Sequence, residues 1–302
     1  YEICACLVGS EMCIRDRPRQ ASTHACGIVI TKEPVVTYVP LYMRDNTIST
    51  QYIMTTLEEL GLLKMDFLGL RTLTVIQDTI DLVKANKGVQ VEFDNDMNDP
   101  KVYKLWQDGN SVGIFQFESQ GMTNFMKELK PDCLEDIIAG VSLYRPGPMD
   151  QIPRYIANKK DPEHAVYTHP ALKPILKVTY GCMVYQEQVM QIVRDLAGYS
   201  LGRADLVRRA MGKKKLDVMA REREIFIKGQ LDEDGNIVVP GCVRNGIDAE
   251  SANRIFDEMA EFAKYAFNKS HAAAYAVVSY RTAYLKAYYP ACLLYTSPSP
   301  RD

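Results

Sequence analysis

The spacing of apolar positions divides the chain into a short part with strands and a longer part with helices. Residues 27–31 and 35–42 are runs of β-branched and aromatic residues, which are typical of strands. Residues 62–67 alternate, with Leu63, Met65 and Phe67 on one face and Lys64 and Asp66 on the other. The pattern therefore predicts strands up to about residue 70.

After Gly69 the apolar period becomes helical. Leu73–Val83 and Val189–Ala197 carry helical spacing, and Gly88 and Gly198 are placed to end these helices. Residues 252–266 form a further strong apolar stripe. The sequence therefore predicts an α+β chain that is mostly α.

Polar residues and prolines mark further boundaries. Ser200 is predicted to cap a helix that runs to Met211, with Gly212 behind it. Ser270 is predicted to cap a last helix that Pro290 ends. Residues 143–148 are predicted to be extended, because their two prolines disfavour a helix.

The sequences of the two chain ends indicate an origin different from that of the rest of the chain. Residues 12–16 and 292–296 are what opposite strands of one DNA sequence encode, and that sequence resembles the adapter of transposase-based sequencing libraries. We therefore expect residues 1–17 and 292–302 to be non-native and adapter-derived, with 18–291 as the native stretch.

Composition narrows the class of protein. The 302 residues carry a formal net charge of only −2, and no run approaches the roughly 18 continuous apolar residues of a membrane span. The cysteines of residues 18–291 are far apart and form no CxxC pair, which argues against a zinc ribbon and a disulfide framework. We expect a cytoplasmic protein with no membrane partner.

Asp66 is the carboxylate whose sequence context most favours a chemical role. A carboxylate on a strand can hold a divalent metal, and the neighbouring Lys64 can neutralise phosphate oxygens. Spacing alone favours a simple ion pair between these two residues over a metal site.

A basic cluster follows one predicted helix. Arg208, Arg209, Lys213, Lys214 and Lys215 place five cations in eight positions, which is more than helix capping explains. Arginine forks and mobile lysines both bind phosphate oxygens. The cluster therefore predicts an anion site for a triphosphate or a nucleic-acid backbone.

A second polar group, Asn268, Lys269, Ser270 and His271, lies at a predicted helix start. Backbone N–H groups there suit a phosphate or base contact, although a helix cap with an incidental lysine explains the pattern equally well. Tyr275, Tyr280 and Tyr284 can stack on bases, but tyrosines at helical spacing are more often core residues. His24 and His271 remain unassigned.

Seven motifs, taken in their order along the chain, resemble those of one protein family. They are residues 22–27 (STHACG), 64–72 (KMDFLGLRT), 115–119 (FQFES), 144–148 (YRPGP), 180–190, the cluster at 208–215, and 267–271 (FNKSH). Across residues 18–291 the series resembles the catalytic (alpha) subunit of bacterial DNA polymerase III, of the DnaE type.

The resemblance implies a fold, a cofactor and residue roles. Residues 18–70 would be the C-terminal part of a polymerase beta-like palm, and residues 71–291 most of a helical fingers domain. In the family three palm aspartates hold two Mg2+ ions, and the third of them matches Asp66. Lys64 would lie in the same catalytic site, and Arg208, Arg209 and the lysines after them would receive the incoming dNTP.

The resemblance also implies partners: primer-template DNA and dNTP, and, through regions absent here, the sliding clamp and the proofreading exonuclease subunit. The family's other two aspartates belong to a P-D-F-D-x-D-F motif that is expected upstream of residue 18. We therefore expect the parent to be a replicative DNA polymerase and this polypeptide alone to be inactive. An error-prone paralogue used in damage tolerance and a non-catalytic DNA- or nucleotide-binding remnant remain alternatives.

Overall fold

The computed structural model describes residues 24, 26–44, 46–212, 216–263 and 265–297. The chain divides into two compact units, with the boundary between Leu70 and Arg71. Strands dominate the first unit, and helices dominate the second. The α+β, mostly α, class predicted from the sequence is therefore confirmed for the described residues.

In the first unit, the described residues form two small antiparallel sheets and one short α-helix. Its elements are β1 Gly27–Ile30, β2 Leu41–Arg44, β3 Thr47–Thr50, α1 Met54–Glu59 and β4 Leu63–Asp66. Strand β1 pairs with β4, and β2 pairs with β3. In the first sheet Gly27 lies opposite Asp66, and Val29 lies opposite Lys64. The strands predicted near residues 27–31 and 62–67 are therefore confirmed.

The strand predicted over residues 35–42 is wrong for its first part. Residues Val35–Thr37 form one turn of 3₁₀ helix, and β2 begins only at Leu41. Two prolines explain the difference. Pro34 leads into the turn, whose Thr37 amide donates to the Pro34 carbonyl at 2.9 Å. Pro40 has no N–H to give to a sheet ladder.

Helices make up most of the second unit. They are α2 Arg71–Lys87, α3 Pro100–Gln107, α4 Gln120–Leu129, α5 Leu134–Leu143, α6 Ile152–Lys160, α7 Lys173–Leu176, α8 Gln186–Ala197, α9 Leu201–Gly212, α10 Leu216–Lys228, α11 Gly241–Arg244, α12 Ala249–Phe262, α13 Lys269–Tyr288 and α14 Pro290–Thr296. A hairpin of β5 Gln230–Leu231 and β6 Ile237–Val239 follows α10. Short 3₁₀ turns lie at Pro148–Gln151, Pro162–His164, Pro170–Leu172 and Lys177–Thr179.

Two large apolar cores organise these helices. One gathers residues of α8, α9, α10 and α12, including the fully buried Val193, Phe226 and Phe256. The other surrounds α13, which packs against α5, α3 and α2. The small buried side chains of Ala272 and Ala276 let neighbouring helices approach α13 closely. Among the described residues, no helix is long and apolar enough to cross a bilayer.

Glycine ends the helices that the sequence predicted around residues 73–83 and 189–197. Gly88 and Gly198 have φ of 66° and 78°, in the left-handed region that favours glycine. Helix α9 begins after Ser200, whose hydroxyl accepts a hydrogen bond from the Arg203 amide at 3.3 Å. These three predictions are confirmed.

The cap of the long helix α13 differs from the prediction. Asn268 rather than Ser270 is the capping residue, because its side-chain oxygen accepts from the His271 amide at 2.9 Å. Ser270 lies inside the first turn. The helix ends at Tyr288, and Pro290 starts α14, as the fixed φ of proline allows at a first helical position.

Residues 143–148 are not extended, contrary to the prediction. Helix α5 runs to Leu143, a bend and turn follow, and Pro148 then opens a 3₁₀ turn. Gly147 has φ of 107° and lies so near Tyr265 that an added Cβ would come within 2.3 Å of its ring. The prolines disfavour continuation of the helix, and Gly147 allows a left-handed turn in close contact with Tyr265.

A buried ion pair ties three helices of the second unit together. The Asp136 side chain in the first turn of α5 is 1% exposed, and Lys159 of α6 donates to it at 2.5 Å. The same ammonium donates at 3.1 Å to the carbonyl of Lys130, which ends α4. Replacing Asp136 leaves the Lys159 ammonium with Asp132 as its carboxylate partner, at the longer distance of 3.4 Å and with a side chain that is 70% exposed.

We expect Asp136→Asn to lower the free energy of unfolding by about 3 kcal/mol, measured by urea denaturation. This value is near the lower end of the range for breaking a buried ion pair, because the Lys159 side chain is 12% exposed. Asp161→Ala, which removes an exposed pair with His164, is the control and should leave stability unchanged within the error of the measurement. Equal effects of the two substitutions would contradict this account.

Candidate functional site

The first candidate group lies at the end of strand β4. Lys64 donates a hydrogen bond to Asp66 Oδ1 along the same face of the strand. The Lys64 side chain is 11% exposed and the Asp66 side chain 50% exposed. The structure thus brings the two predicted residues together, with the carboxylate open to solvent.

The charges around Asp66 keep it ionised. The hydrogen bond from Lys64 is the largest cause that lowers the pKa of Asp66 below its ordinary value, and the charge of His24 acts in the same direction. The His24 ring nitrogen Nδ1 lies 3.7 Å from Asp66 Oδ1. An ionised, half-exposed carboxylate has the chemistry that a hard divalent cation requires.

Gly27 makes the close approach possible. It lies directly opposite Asp66 in the β1–β4 ladder. A Cβ at this position would be 2.7 Å from the Lys64 side chain and 3.1 Å from Asp66 Oδ1. Any side chain here would collide with the pair, so glycine lets the β1 backbone pack directly against Lys64 and Asp66.

The second candidate group lies on the last turns of α9. Arg208 donates to Asp205 Oδ1 at 2.6 Å, and Arg209 Nε lies 2.7 Å from Asp205 Oδ2. Hydrogen bonding from Arg208 is the largest cause of the lowered pKa of Asp205. One carboxylate therefore offsets part of the positive charge that the sequence suggested. Lys213, Lys214 and Lys215 lie outside the described residues.

The two arginines differ in exposure. The Arg208 side chain is 21% exposed and also donates to the Gln186 side-chain oxygen at 3.0 Å. The Arg209 side chain is 63% exposed. Arg208 is thus fixed within the fold, while Arg209 has the freedom to meet an anion in solvent.

The third candidate group begins helix α13. The Lys269 ammonium donates to Glu135 at 3.1 Å and lies 5.3 Å from the centre of the Tyr185 ring. Asn268, Ser270 and His271 are exposed. Because Glu187 and Asn268 already accept from the Lys269 and His271 amides, this turn offers a ligand its exposed polar side chains.

A junction of Gln186 and Glu187 connects the second and third groups. The Gln186 side chain, which accepts from Arg208, donates to the Ala266 carbonyl at 3.1 Å. Glu187 accepts from the Lys269 amide at 3.0 Å and from the Asn268 side chain at 3.0 Å. Sequence spacing did not assign these two residues a role, although they belong to the motif at residues 180–190.

Aromatic rings continue from this junction along α13. Arg145 stacks on Phe267 at 3.9 Å, Phe267 meets the His271 ring at 5.4 Å, and His271 meets Tyr275 at 4.3 Å. Tyr280 instead is fully buried, and its hydroxyl accepts from the Asp99 amide at 2.9 Å. Of the tyrosines considered for base stacking, Tyr280 is therefore a core residue.

Two family models match the chain. Residues 72–234 match the bacterial DNA polymerase III alpha subunit finger domain, and residues 5–69 match the bacterial DNA polymerase III alpha NTPase domain. The first match covers helices α2 to α10 and the start of the β5–β6 hairpin. The class defined by these matches is the alpha subunit of bacterial DNA polymerase III.

Curated relatives agree with the models. The DNA polymerase III subunit alpha of Borreliella burgdorferi is 47% identical over 287 residues, which is 94% of this chain and 24% of the relative. That of Thermus aquaticus is 51% identical over 280 residues, 90% of this chain and 22% of the relative. The chain belongs to the bacterial DNA polymerase III alpha subunit family, and it spans about a quarter of the length of these relatives.

We expect Lys64→Met to raise the pKa of Asp66 towards the ordinary aspartate value of about 3.9. Carboxyl 13C NMR shifts recorded as a function of pH measure this pKa. Because the folded pKa is lowered, the pair stabilises the fold above the unfolded pKa. That stabilisation is lost as the pH falls through the folded pKa.

Lys32→Met, at an exposed lysine of the same unit, is the matched control for this titration and should leave the pKa of Asp66 where it is. If the pKa of Asp66 in the Lys64→Met variant equals that in the wild type, Lys64 is not the cause of the lowered pKa.

Proposed function

We propose that the chain is part of a DNA-templated DNA polymerase that adds dNTP to a primer 3′-OH with Mg2+ as cofactor. The observation that carries the proposal is the ionised, half-exposed Asp66 carboxylate, held by Lys64 at the end of strand β4. Membership of the DNA polymerase III alpha family supports it.

Asp66 fits a divalent cation, because it is half-exposed and ionised and has a second carboxylate oxygen beside the one that accepts from Lys64. Mg2+, when bound, would stabilise charge on phosphate oxygens and activate the primer hydroxyl. Lys64 holds the carboxylate in orientation and adds a positive charge beside it. In this proposal the first unit is the end of a palm domain, and Asp66 is its metal ligand.

The proposal assigns the second unit to fingers that receive the dNTP and DNA. The exposed Arg209 guanidinium is suited to bidentate contact with phosphate oxygens, while Arg208 supports it through Asp205. Lys213, Lys214 and Lys215 extend the same run of charge along the sequence. The exposed start of α13, with Asn268, Ser270 and His271, would meet nucleic acid.

We expect replacing Arg208 and Arg209 together by Ala to weaken binding of primer-template DNA for every sequence tested. The slope of log affinity against log salt should become shallower by about 1 for each phosphate that the variant no longer neutralises. Fluorescence anisotropy over a range of salt concentrations measures both quantities.

Arg194→Ala is the matched control, because Arg194 is an exposed helical arginine paired with Asp195. It should leave both affinity and slope unchanged. An unchanged salt slope in the Arg208/Arg209 variant would show that these arginines make no contact with DNA phosphates and belong to a solvated surface.

We expect the polypeptide alone not to extend a primer. Two-metal phosphoryl transfer needs several ligands for ions about 4 Å apart, and the cluster around Asp66 offers one carboxylate among the described residues. A primer-extension assay with Mg2+ tests this. Synthesis by the wild-type chain that disappears in Asp66→Asn would overturn the prediction, while it would support Asp66 as a catalytic residue.

A further inference from the structure

One arginine side chain joins the loop after α5 to the segment that leads into α13. Arg145 Nε donates to the Ser142 carbonyl at 3.0 Å, and Nη2 of the same guanidinium donates to the Tyr265 carbonyl at 3.1 Å. The central carbon of the guanidinium lies 3.9 Å from the centre of the Phe267 ring. Arg145 therefore holds both a backbone carbonyl and a ring of the segment 265–267.

Contacts from two sides fix the position of this segment. From the start of α8, the Gln186 amide donates to the Phe267 carbonyl at 2.8 Å. From the loop after α5, Gly147 lies so close that an added Cβ would come within 2.3 Å of the Tyr265 ring. Phe267 directly precedes Asn268, the cap of α13, so these contacts set where the helix begins.

Three aromatic rings run from this segment onto α13. The ring centres of Phe267 and His271 are 5.4 Å apart in an edge-to-face contact, and those of His271 and Tyr275 are 4.3 Å apart. Edge-to-face contacts between aromatic rings are favourable. His271 is exposed, whereas Phe267 and Tyr275 are half-buried. The position of the exposed ring therefore depends on the two half-buried rings beside it.

The two ends of this ring series are anchored by different parts of the fold. At one end Tyr275 lies 5.2 Å from the Phe115 ring, and the Phe115 backbone is bonded to two hydroxyl groups of α13 itself. At the other end Phe267 stacks on Arg145, which belongs to the loop after α5. Arg145 is thus the contact through which a separate element bears on the exposed His271 ring.

Arg145 uses its guanidinium inside the fold. Two of its nitrogens donate to carbonyls, its face covers a ring, and the residue is half-buried. The Arg209 side chain, in contrast, is 63% exposed. A planar group that donates in a fixed fork and also stacks on a ring has no counterpart in lysine. The contacts of Arg145 therefore suit the holding of its neighbours more than the binding of an anion.

We propose that Arg145 is a positioning residue, which through its stack on Phe267 holds the His271 ring where that ring contacts nucleic acid. The inference rests on the proposed function, in which the exposed start of α13 meets nucleic acid, and it adds a residue to which no role in binding has been given. Arg145 supplies position and not charge. Loss of Arg145 should therefore weaken binding whether or not the replacement is cationic, and only while the His271 ring is present.

Fluorescence anisotropy of the whole chain with primer-template DNA tests the proposal. We expect Arg145→Lys and Arg145→Met to weaken binding alike, by about fivefold, the scale of one cation–π contact. The slope of log affinity against log salt should stay that of the wild type, because Arg145 neutralises no phosphate. In a His271→Ala background, Arg145→Lys should have no further effect on affinity.

Arg154→Lys is the matched control. Arg154 also donates to two carbonyls, those of Val166 and Gly181, but among the described residues it stacks on no ring, so its replacement should leave DNA affinity unchanged. Phe267→Leu is a second variant on the proposed path, because it removes the ring and retains the Tyr265 carbonyl for Arg145. It should weaken binding as Arg145→Lys does, with the circular dichroism of the folded chain.

NMR of the histidine rings gives a readout that needs no DNA. Arg145→Lys should move the ring signals of His271, because the Phe267 ring beside it shifts, while the signals of His169 stay in place. Unmoved His271 signals would overturn the inference, and so would an equal loss of affinity in the His271→Ala background.

The DNA measurements also separate this inference from the proposed function. Wild-type affinity in Arg145→Lys with a shallower salt slope in Arg145→Met would make Arg145 a phosphate contact and overturn the positioning role. If replacing Arg208 and Arg209 weakens binding but the Arg145 variants bind as the wild type does, the proposed function stands and the inference fails. A wild type that binds no DNA would overturn both.

Discussion

The placing of the predicted binding residues in the helical unit depends on one junction, where α8 and α13 begin together. The Gln186 amide donates to the Phe267 carbonyl at 2.8 Å, and the Glu187 carboxylate accepts from the Lys269 amide at 3.0 Å. A carboxylate at a helix N-terminus is stabilised by the free N–H groups and the helix dipole. The junction therefore fixes where the exposed first turn of α13 lies relative to α9.

Charge at this junction is balanced rather than simply positive. Asp205 pairs with both arginines of α9, and Glu135 and Glu187 engage Lys269. Balanced pairs hold long cationic side chains in defined positions, which lowers the ordering cost when an anion binds. In the β1–β4 sheet of the first unit, Gly27 lies opposite Asp66, and the Lys64 and His24 side chains approach the position that a Cβ would take.

The sequence predicted the features that have a strong local cause. Alternation located strand β4 and the shared face of Lys64 and Asp66, and glycines in the left-handed region marked the ends of α2 and α8. The cap of α13 was misplaced by two residues, because serine and asparagine cap equally well and only the geometry chooses Asn268. The bonds of Gln186 to Ala266 and of Glu187 to Lys269 span about 80 positions, and nothing in local spacing encodes such contacts. The approach of His24 to Asp66 likewise results from strand pairing.

The most direct test of the account is an NMR titration of the chain with Mg2+ and dNTP. The account predicts saturating amide shifts in two places: around Asp66, where Mg2+ would bind, and at Gln186, the start of α13 and the last turn of α9, where dNTP would bind. Shifts that lie elsewhere, or that do not saturate, would contradict the proposal that this junction receives a nucleotide.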